Sequence, residues 1–414
     1  MNKDVERIKE ILVSKKGVMR DFVLNFFASF ISVGVVQILL LPWLSRVMNA
    51  NQYGVMLTTI GVANTITGTI GGSLNNTRLI IASDYTEKKE RTDFLPLILI
   101  GSAAGVIAIL IYTYYHYDEK WFFYCGIGGF VFFACFRDYG NVYYRLVLNY
   151  KKILILSIVI ASSNVLGIGA LYFIGNYNYW HIPFFLGEAA GLYYIIKTTE
   201  ITKETLRISN RISKVLKIEI SLLITTLIVN LLKYLDRLLL LPVLGGAAVS
   251  TYTVASYVGK SFGIVMTPLA GVMLSYYSQS NYEMNRNKYW RINAMMIGLA
   301  APFFLMCTLL AKPITEFFFP TLSESAMPIL FLSNAAAIVN TVANMTQPAV
   351  LKYANIYWQI LIQIVYAGIY LGAGYFGATS FAIQGFAAAS LIAAFVRLLL
   401  LYAIGHFSIK NRSV

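Results

Sequence analysis

Apolar residues run along this chain in long unbroken stretches, separated by short polar segments. The stretches cover about 22–44, 54–77, 94–115, 121–142, 153–174, 182–196, 218–241, 251–276, 292–310, 327–350, 357–376 and 381–404. Each approaches the ~20 residues that a helix needs to cross the hydrocarbon core of a bilayer. Backbone groups in lipid must bond within their own segment, so the stretches predict helices. The alternating apolar and polar units of about ten residues that would predict a membrane barrel do not occur. The pattern therefore predicts an all-α polytopic membrane protein with 12 transmembrane helices, and the even number puts both termini on one side.

Composition agrees with lipid as the main solvent: 58% of the 414 residues are hydrophobic and 13% are charged. Soluble domains carry about twice that charged fraction. A net charge of +14 could suggest nucleic acid, but the basic residues sit mostly in loops on one side, which is a topology signal. Lys3, Arg7, Lys9, Lys15, Lys16 and Arg20 precede the first span, and Lys88, Lys89 and Arg91 follow the second. Arg137 lies at the end of the fourth, Arg145, Lys151 and Lys152 follow it, and Lys410 and Arg412 close the chain. Both termini are thus expected to be cytoplasmic, with no nucleic-acid partner. The expected organisation is a tail (1–20), a six-helix lobe (21–197), a basic linker (198–217), a second six-helix lobe (218–404) and a tail (405–414). The first 20 residues are charged and polar, so no cleavable signal peptide is expected. Cys125, Cys135 and Cys307 lie in apolar stretches without CxxC spacing, and His116, His181 and His406 lie at span ends. Neither set predicts a metal site or a disulfide framework, and the histidines are expected at the interface.

An internal repeat supports two bundles. LLLPWLSRVMNANQYGV (39–55) and LLLPVLGGAAVSTYTV (239–254) share a leucine run, a proline (Pro42, Pro242), a short turn and a tyrosine (Tyr53, Tyr252). The offset is close to half the chain, and an even number of spans per half gives the halves the same orientation, as in parallel-repeat transporters. A substrate path between the halves is expected. Glycines four apart (Gly101 and Gly105, Gly187 and Gly191, Gly259 and Gly263, Gly368 and Gly372) predict close helix packing. Pro42, Pro242, Pro268 and Pro348 predict kinks or span ends.

Ionisable residues within spans are costly and usually face a cavity or a partner. The densest group is Asn230, Lys233, Asp236 and Arg237, where spacings of three and four place Asn230, Lys233 and Arg237 along one helical face. Asp236 is positioned to pair with Lys233. Lys260 falls near mid-bilayer; the surrounding GKS lacks the glycine and strand of a phosphate-binding loop. Asn230, Lys233, Arg237 and Lys260 are the candidate substrate-binding residues. Asp236, Glu188, Arg46 and Arg397 are the candidate coupling or gating residues, and Arg137 beside Asp138 reads as a gate or a local pair. The 29 tyrosines exceed the needs of an interfacial belt, and some are expected to stack on sugar rings.

The two repeat segments, and above all YLDRLLLLPVLGGAAVSTYTVASYVGKSFGIVMTPLAGVMLSYYSQ (234–279), resemble polysaccharide flippases of the Wzx type, within the multidrug/oligosaccharidyl-lipid/polysaccharide (MOP) exporter superfamily. The glycine that family places before the second-half tyrosine is replaced by Thr251. The resemblance implies a MATE-like pair of rocking six-helix lobes. It implies export of an undecaprenyl-pyrophosphate-linked oligosaccharide across the bacterial cytoplasmic membrane, for O-antigen or capsule. Membrane lipids, a polysaccharide polymerase and a chain-length regulator would be its partners. No ATP motif and no cofactor is read from the chain, so coupling to a proton or sodium gradient is the expectation. The competing readings are a cation-coupled multidrug exporter and a membrane enzyme, either polymerase or acyltransferase. The long outer loop of the former and the histidine constellation of the latter are both missing from the sequence.

Overall fold

The computed structural model describes residue 20 and residues 23–82, 92–277 and 284–409. The tail lysines and arginines before Arg20, the loop residues Lys88, Lys89 and Arg91, and the C-terminal Lys410 and Arg412 lie outside them, as does the side chain of Pro268. No strand occurs among the described residues. The helices are α1 (Val23–Val47), α2 (Ala50–Ile80), α3 (Phe94–His116), α4 (Trp121–Gly140), α5 (Val142–Leu146), α6 (Tyr150–Ile174) and α7 (His181–Thr198). They continue with α8 (Ile212–Lys233), α9 (Leu235–Leu244), α10 (Gly246–Ala255), α11 (Tyr257–Tyr277), α12 (Arg286–Phe318), α13 (Pro320–Ala326), α14 (Leu330–Tyr353) and α15 (Ile356–Ser408).

Among the described residues, 7 helical stretches are long and apolar enough to cross a membrane. The stretch through α2 is not one of them, although it is 31 residues long, because it is rich in threonine and asparagine. Those polar residues point inward: Thr58, Thr59, Thr65, Thr67, Thr69, Ser73, Asn75 and Thr77 are all buried. Large apolar side chains point outward instead, with Phe173, Leu309 and Leu166 more than two-thirds exposed. A polar interior beneath an apolar exterior suits a lipid surround, and the chain is a multi-pass membrane protein.

Contacts divide the chain into two compact units, Met1–Leu44 with Thr58–Leu235, and Ser45–Leu57 with Asp236–Val414. In the first unit, aromatic rings fill the space between α4 and α7: Phe130 and Phe184 lie 5.5 Å apart, and Phe123 and Trp180 meet edge to face at 6.2 Å. His181 is buried in this cluster, 5.2 Å from Phe123, rather than placed at the interface. Its position at the start of α7 hides it beneath the aromatic rings of α4. The second unit has a core of Val258, Phe262, Cys307, Ile338, Val342, Ile362 and Leu401.

Several glycines set the helix spacing. A side chain at Gly105 would press on Ile66 and Ile70, one at Gly191 on Ile160, and one at Gly259 on the backbone of Asn334. These pairs bear out the packing expected of their motifs. Gly368 and Gly372 do not: nothing lies within 4 Å of a Cβ at either position. The two repeat segments meet in the second unit, where Gly246 N donates to Asn51 Oδ1 at 3.0 Å. There, a Cβ on Gly54 would overlap the Gly246 carbonyl.

Proline effects vary with position. Pro42 follows a π-helical stretch, Val35–Leu40, in which the ladder widens just before the residue that lacks an N–H. Pro242 and Pro348 lie inside continuous helices. The break in α15 comes instead at Phe381 and Ala382, the latter at φ +51°. Gly377 and Gly385 flank it and approach each other too closely for any side chain.

Candidate substrate-binding site

The C-terminal half of α2 reads GTIGGSLNNTR. Helical spacing gathers Gly68, Gly72, Asn75 and Asn76 on one face, and these residues wall a cavity of about 460 Å³ in the first unit. Asn25 of α1, Asp138 at the end of α4, Asn141, Arg145 of α5, and Tyr150 and Ile153 of α6 complete it. Gly72 has no atom within reach of a Cβ, so it leaves the wall open there.

The lining is pre-ordered. Arg145 Nη1 donates to Asn75 Oδ1 at 2.6 Å and to Asn76 Oδ1 at 3.0 Å, and Asn75 Nδ2 donates to the Asp138 carbonyl at 2.7 Å. Asn141 Oδ1 is buried with no partner among the described residues. The cavity thus offers amide donors, amide acceptors, a phenol and one guanidinium, with the Asp138 carboxylate tied to Arg137, a set that matches hydroxyl-rich groups. Sequence reasoning missed its asparagines and read Arg145 only as a loop charge. The available signal was the Asn75–Asn76 pair within a span, three residues before the polar run ends at Arg78.

Beside the cavity, Arg137 bridges two acids. Its Nη1 lies 2.5 Å from Asp138 Oδ1, and its Nη2 donates to Glu188 Oε1 at 3.1 Å while Nε donates to Oε2. Glu188 is therefore an ion-paired acid, and Arg137 with Asp138 forms the expected local pair. Arg78 is held in turn by Glu204 and Tyr139, with its guanidinium 4.9 Å from the Phe94 ring.

The structure separates the cluster that the sequence placed on one helical face. α8 ends at Lys233, capped at Tyr234, and α9 begins at Leu235, so the register of Asn230 and Lys233 does not carry on to Arg237. Asn230 Nδ2 reaches Thr69 Oγ1 at 3.4 Å, and Lys233 is exposed with Nζ 5.3 Å from the Tyr234 ring. Asp236 pairs with Lys260 at 2.6 Å, not with Lys233. The helix break turns Asp236 into the second unit, where its Oδ1 also accepts from Arg237 N at 2.9 Å. Arg237 Nη1 donates to the Leu57 carbonyl at 2.7 Å.

In the same unit a chain of phenols leads on from this pair. Lys260 Nζ lies 5.5 Å from the Tyr252 ring, and Tyr252 bonds Ser390 Oγ at 3.0 Å. Tyr370 packs 5.7 Å from Tyr366, whose ring lies 5.1 Å from the Arg397 guanidinium. Arg397 is buried and donates to Asn340 Oδ1 at 2.5 Å and Gln347 Oε1 at 2.8 Å, with amides in place of an acid. Arg46 stands apart, donating to the Phe317 carbonyl at 2.6 Å.

Neither a protein-family model nor a curated protein sequence matches the chain. Solved structures do. An inward-facing multidrug resistance MATE family transporter of the MOP superfamily superposes with a TM-score of 0.66 at 14% identity, covering 93% of this chain and 94% of that one. The chain has the MATE fold. The lipid II flippase MurJ in an inward closed conformation gives 0.66 at 13% identity, over 94% of this chain and 86% of that one. A mutant of the Vibrio cholerae MATE transporter VcmN gives 0.61 at 15%, over 93% and 95%. These neighbours are transporters and a flippase rather than enzymes, and the likeness is one of fold.

Proposed function

We propose that this chain is a flippase of the MOP superfamily that moves an undecaprenyl-pyrophosphate-linked oligosaccharide from the inner to the outer leaflet of the bacterial cytoplasmic membrane. In this reading it has 12 transmembrane helices in two six-helix bundles, both termini are cytoplasmic, and transport proceeds by alternating access. The observation that carries the proposal is the cavity of amides around Arg145. A sugar headgroup carries many hydroxyls, and burying each without a partner costs roughly 2–7 kcal/mol. Asn25, Asn75, Asn76 and Asn141 supply both donors and acceptors to offset that cost. Lys233, exposed near the end of α8, adds positive charge to the first unit, and Lys260 with Arg237 adds it to the second, each suited to a phosphate group. One acid, Asp236, neutralises only part of the second group.

A fluorescent lipid-linked oligosaccharide reconstituted with the protein in liposomes tests the reading. Arg145→Ala is expected to slow its translocation by about tenfold or more, because a hydrogen bond to a charged group is worth about 1.5–3 kcal/mol. Equal rates in protein-containing and empty liposomes would sink the proposal. The rival reading, a multidrug exporter, is favoured by the preponderance of MATE transporters among the fold neighbours. It predicts that deleting the gene sensitises cells to cationic drugs and leaves surface polysaccharide intact, the reverse of the flippase outcome.

A further inference from the structure

α8 buries two residues, Val215 and Glu219. Most of that helix faces outward, yet its single acid is turned into the first unit. Glu219 Oε1 lies 2.5 Å from Ser73 Oγ, and Oε2 lies 2.6 Å from Thr77 Oγ1, both on α2. No lysine or arginine forms an ion pair with it among the described residues. One turn away on its own helix stand Val215, Leu216, Leu222 and Leu223, all apolar. Lys217 is two residues off and so points away. On α2 the nearest charge is Arg78, already held by Glu204 and Tyr139. The other acids described above, Asp138, Glu188, Glu204 and Asp236, each have an arginine or lysine partner.

The hydroxyl geometry suits the neutral acid. Ser73 Oγ also lies 3.2 Å from the Ile70 carbonyl. A hydroxyl donates one proton only. With Glu219 protonated, its O–H donates to Ser73 Oγ, Ser73 donates to the Ile70 carbonyl, and Thr77 donates to the second carboxyl oxygen. Every polar atom in that chain is then satisfied. With Glu219 ionised, Ser73 must turn to donate to it, and the charge is left buried on two neutral donors. Two neutral hydroxyl donors supply no counter-charge to a buried carboxylate, which favours its neutral form.

We propose that Glu219, cradled by Ser73 and Thr77, is a proton-binding site of this transporter and carries the coupling proton. The step is a single protonation: an O–H bond forms at Glu219 Oε1 with a proton from water, and it breaks on release. α2 links this site to the cavity, because it carries Ser73 and Thr77 on one side and Asn75 and Asn76 on another. Loss of the proton removes the bond that lets Ser73 serve both Glu219 and Ile70, and so changes the seam between α8 and the helix that walls the cavity. The coupling role rests on the transport reading above, whereas protonation of Glu219 does not.

Infrared difference spectra of the full-length protein in lipid nanodiscs, recorded as the pH is raised, test the protonation. A carbonyl band of a neutral carboxylic acid is expected to disappear on titration, to be missing from Glu219→Gln, and to shift in Ser73→Ala. Identical bands in all three proteins overturn the site. Should Glu219→Gln fail to fold, the Ser73→Ala shift decides alone. In liposomes, an imposed proton gradient is expected to change the wild-type rate and leave Glu219→Gln unresponsive. A Glu219→Gln protein that responds like the wild type overturns the coupling role, while the infrared result still decides whether the acid binds a proton.

Discussion

Lys260 and Asp236 show how a single contact reassigns a residue. Sequence spacing offered Asp236 to Lys233, and the structure gives it to Lys260 at 2.6 Å. Asp236 is buried, whereas Lys260 is partly exposed, so the energetic weight of the pair lies in the acid. Removing the lysine takes the ion pair from a buried carboxylate, a costly change, while removing both charges is less so. Lys260→Met is therefore expected to lower the thermal midpoint of the purified protein, and adding Asp236→Asn to recover part of the loss. The coupling energy of the cycle should fall within about 0.5–3 kcal/mol. Additive effects of the two changes would show that the pair does not matter to stability. Glu219 teaches the complementary lesson: one acid in a basic-flanked helix looks like an ordinary interfacial charge until its two hydroxyl partners on α2 are seen.

At the scale of the helix, glycine position matters more than glycine motif. Gly259 and Gly368 both head small-residue pairs, but only Gly259 has a neighbour, with its N–H bonded to Asn334 Oδ1 at 2.6 Å. A methyl at Gly259 would collide with the Asn334 backbone, and forcing extra volume into a packed seam costs about 1–3 kcal/mol. A methyl at Gly368 meets open space and gains the ~0.5–1 kcal/mol by which alanine exceeds glycine inside a helix. Gly259→Ala should thus lower the thermal midpoint and Gly368→Ala should raise or preserve it. A drop in both would mean that α15 packs more tightly than its geometry indicates. Length and apolarity predicted where the helices run, and even the break at Phe381–Ala382 falls at the start of the last apolar stretch. The break between α8 and α9 was not legible, because no proline or glycine marks Tyr234.

For the whole molecule, charge distribution predicts the orientation in the membrane. The basic residues of alternate loops predict that Thr205, between α7 and α8, faces the cytoplasm and Asp118, between α3 and α4, faces outward. In a cysteine-free background, Asp118→Cys is expected to react with an impermeant thiol reagent in intact cells. Thr205→Cys is expected to react only after the membrane is opened. The opposite pattern would reverse the topology and with it the direction of the proposed transport.

Sequence alone settled that this chain lives in lipid, that its spans are helical, and roughly where they begin and end. Those properties follow from the cost of unpaired backbone groups in hydrocarbon, and that cost is paid locally, segment by segment. Tertiary structure decided which polar side chains answer one another: Arg145 with two asparagines, Asp236 with Lys260, and Glu219 with Ser73 and Thr77. Partners of that kind stand as far as 146 residues apart in the chain. Spacing along a helix cannot reveal them, because only packing brings their faces together.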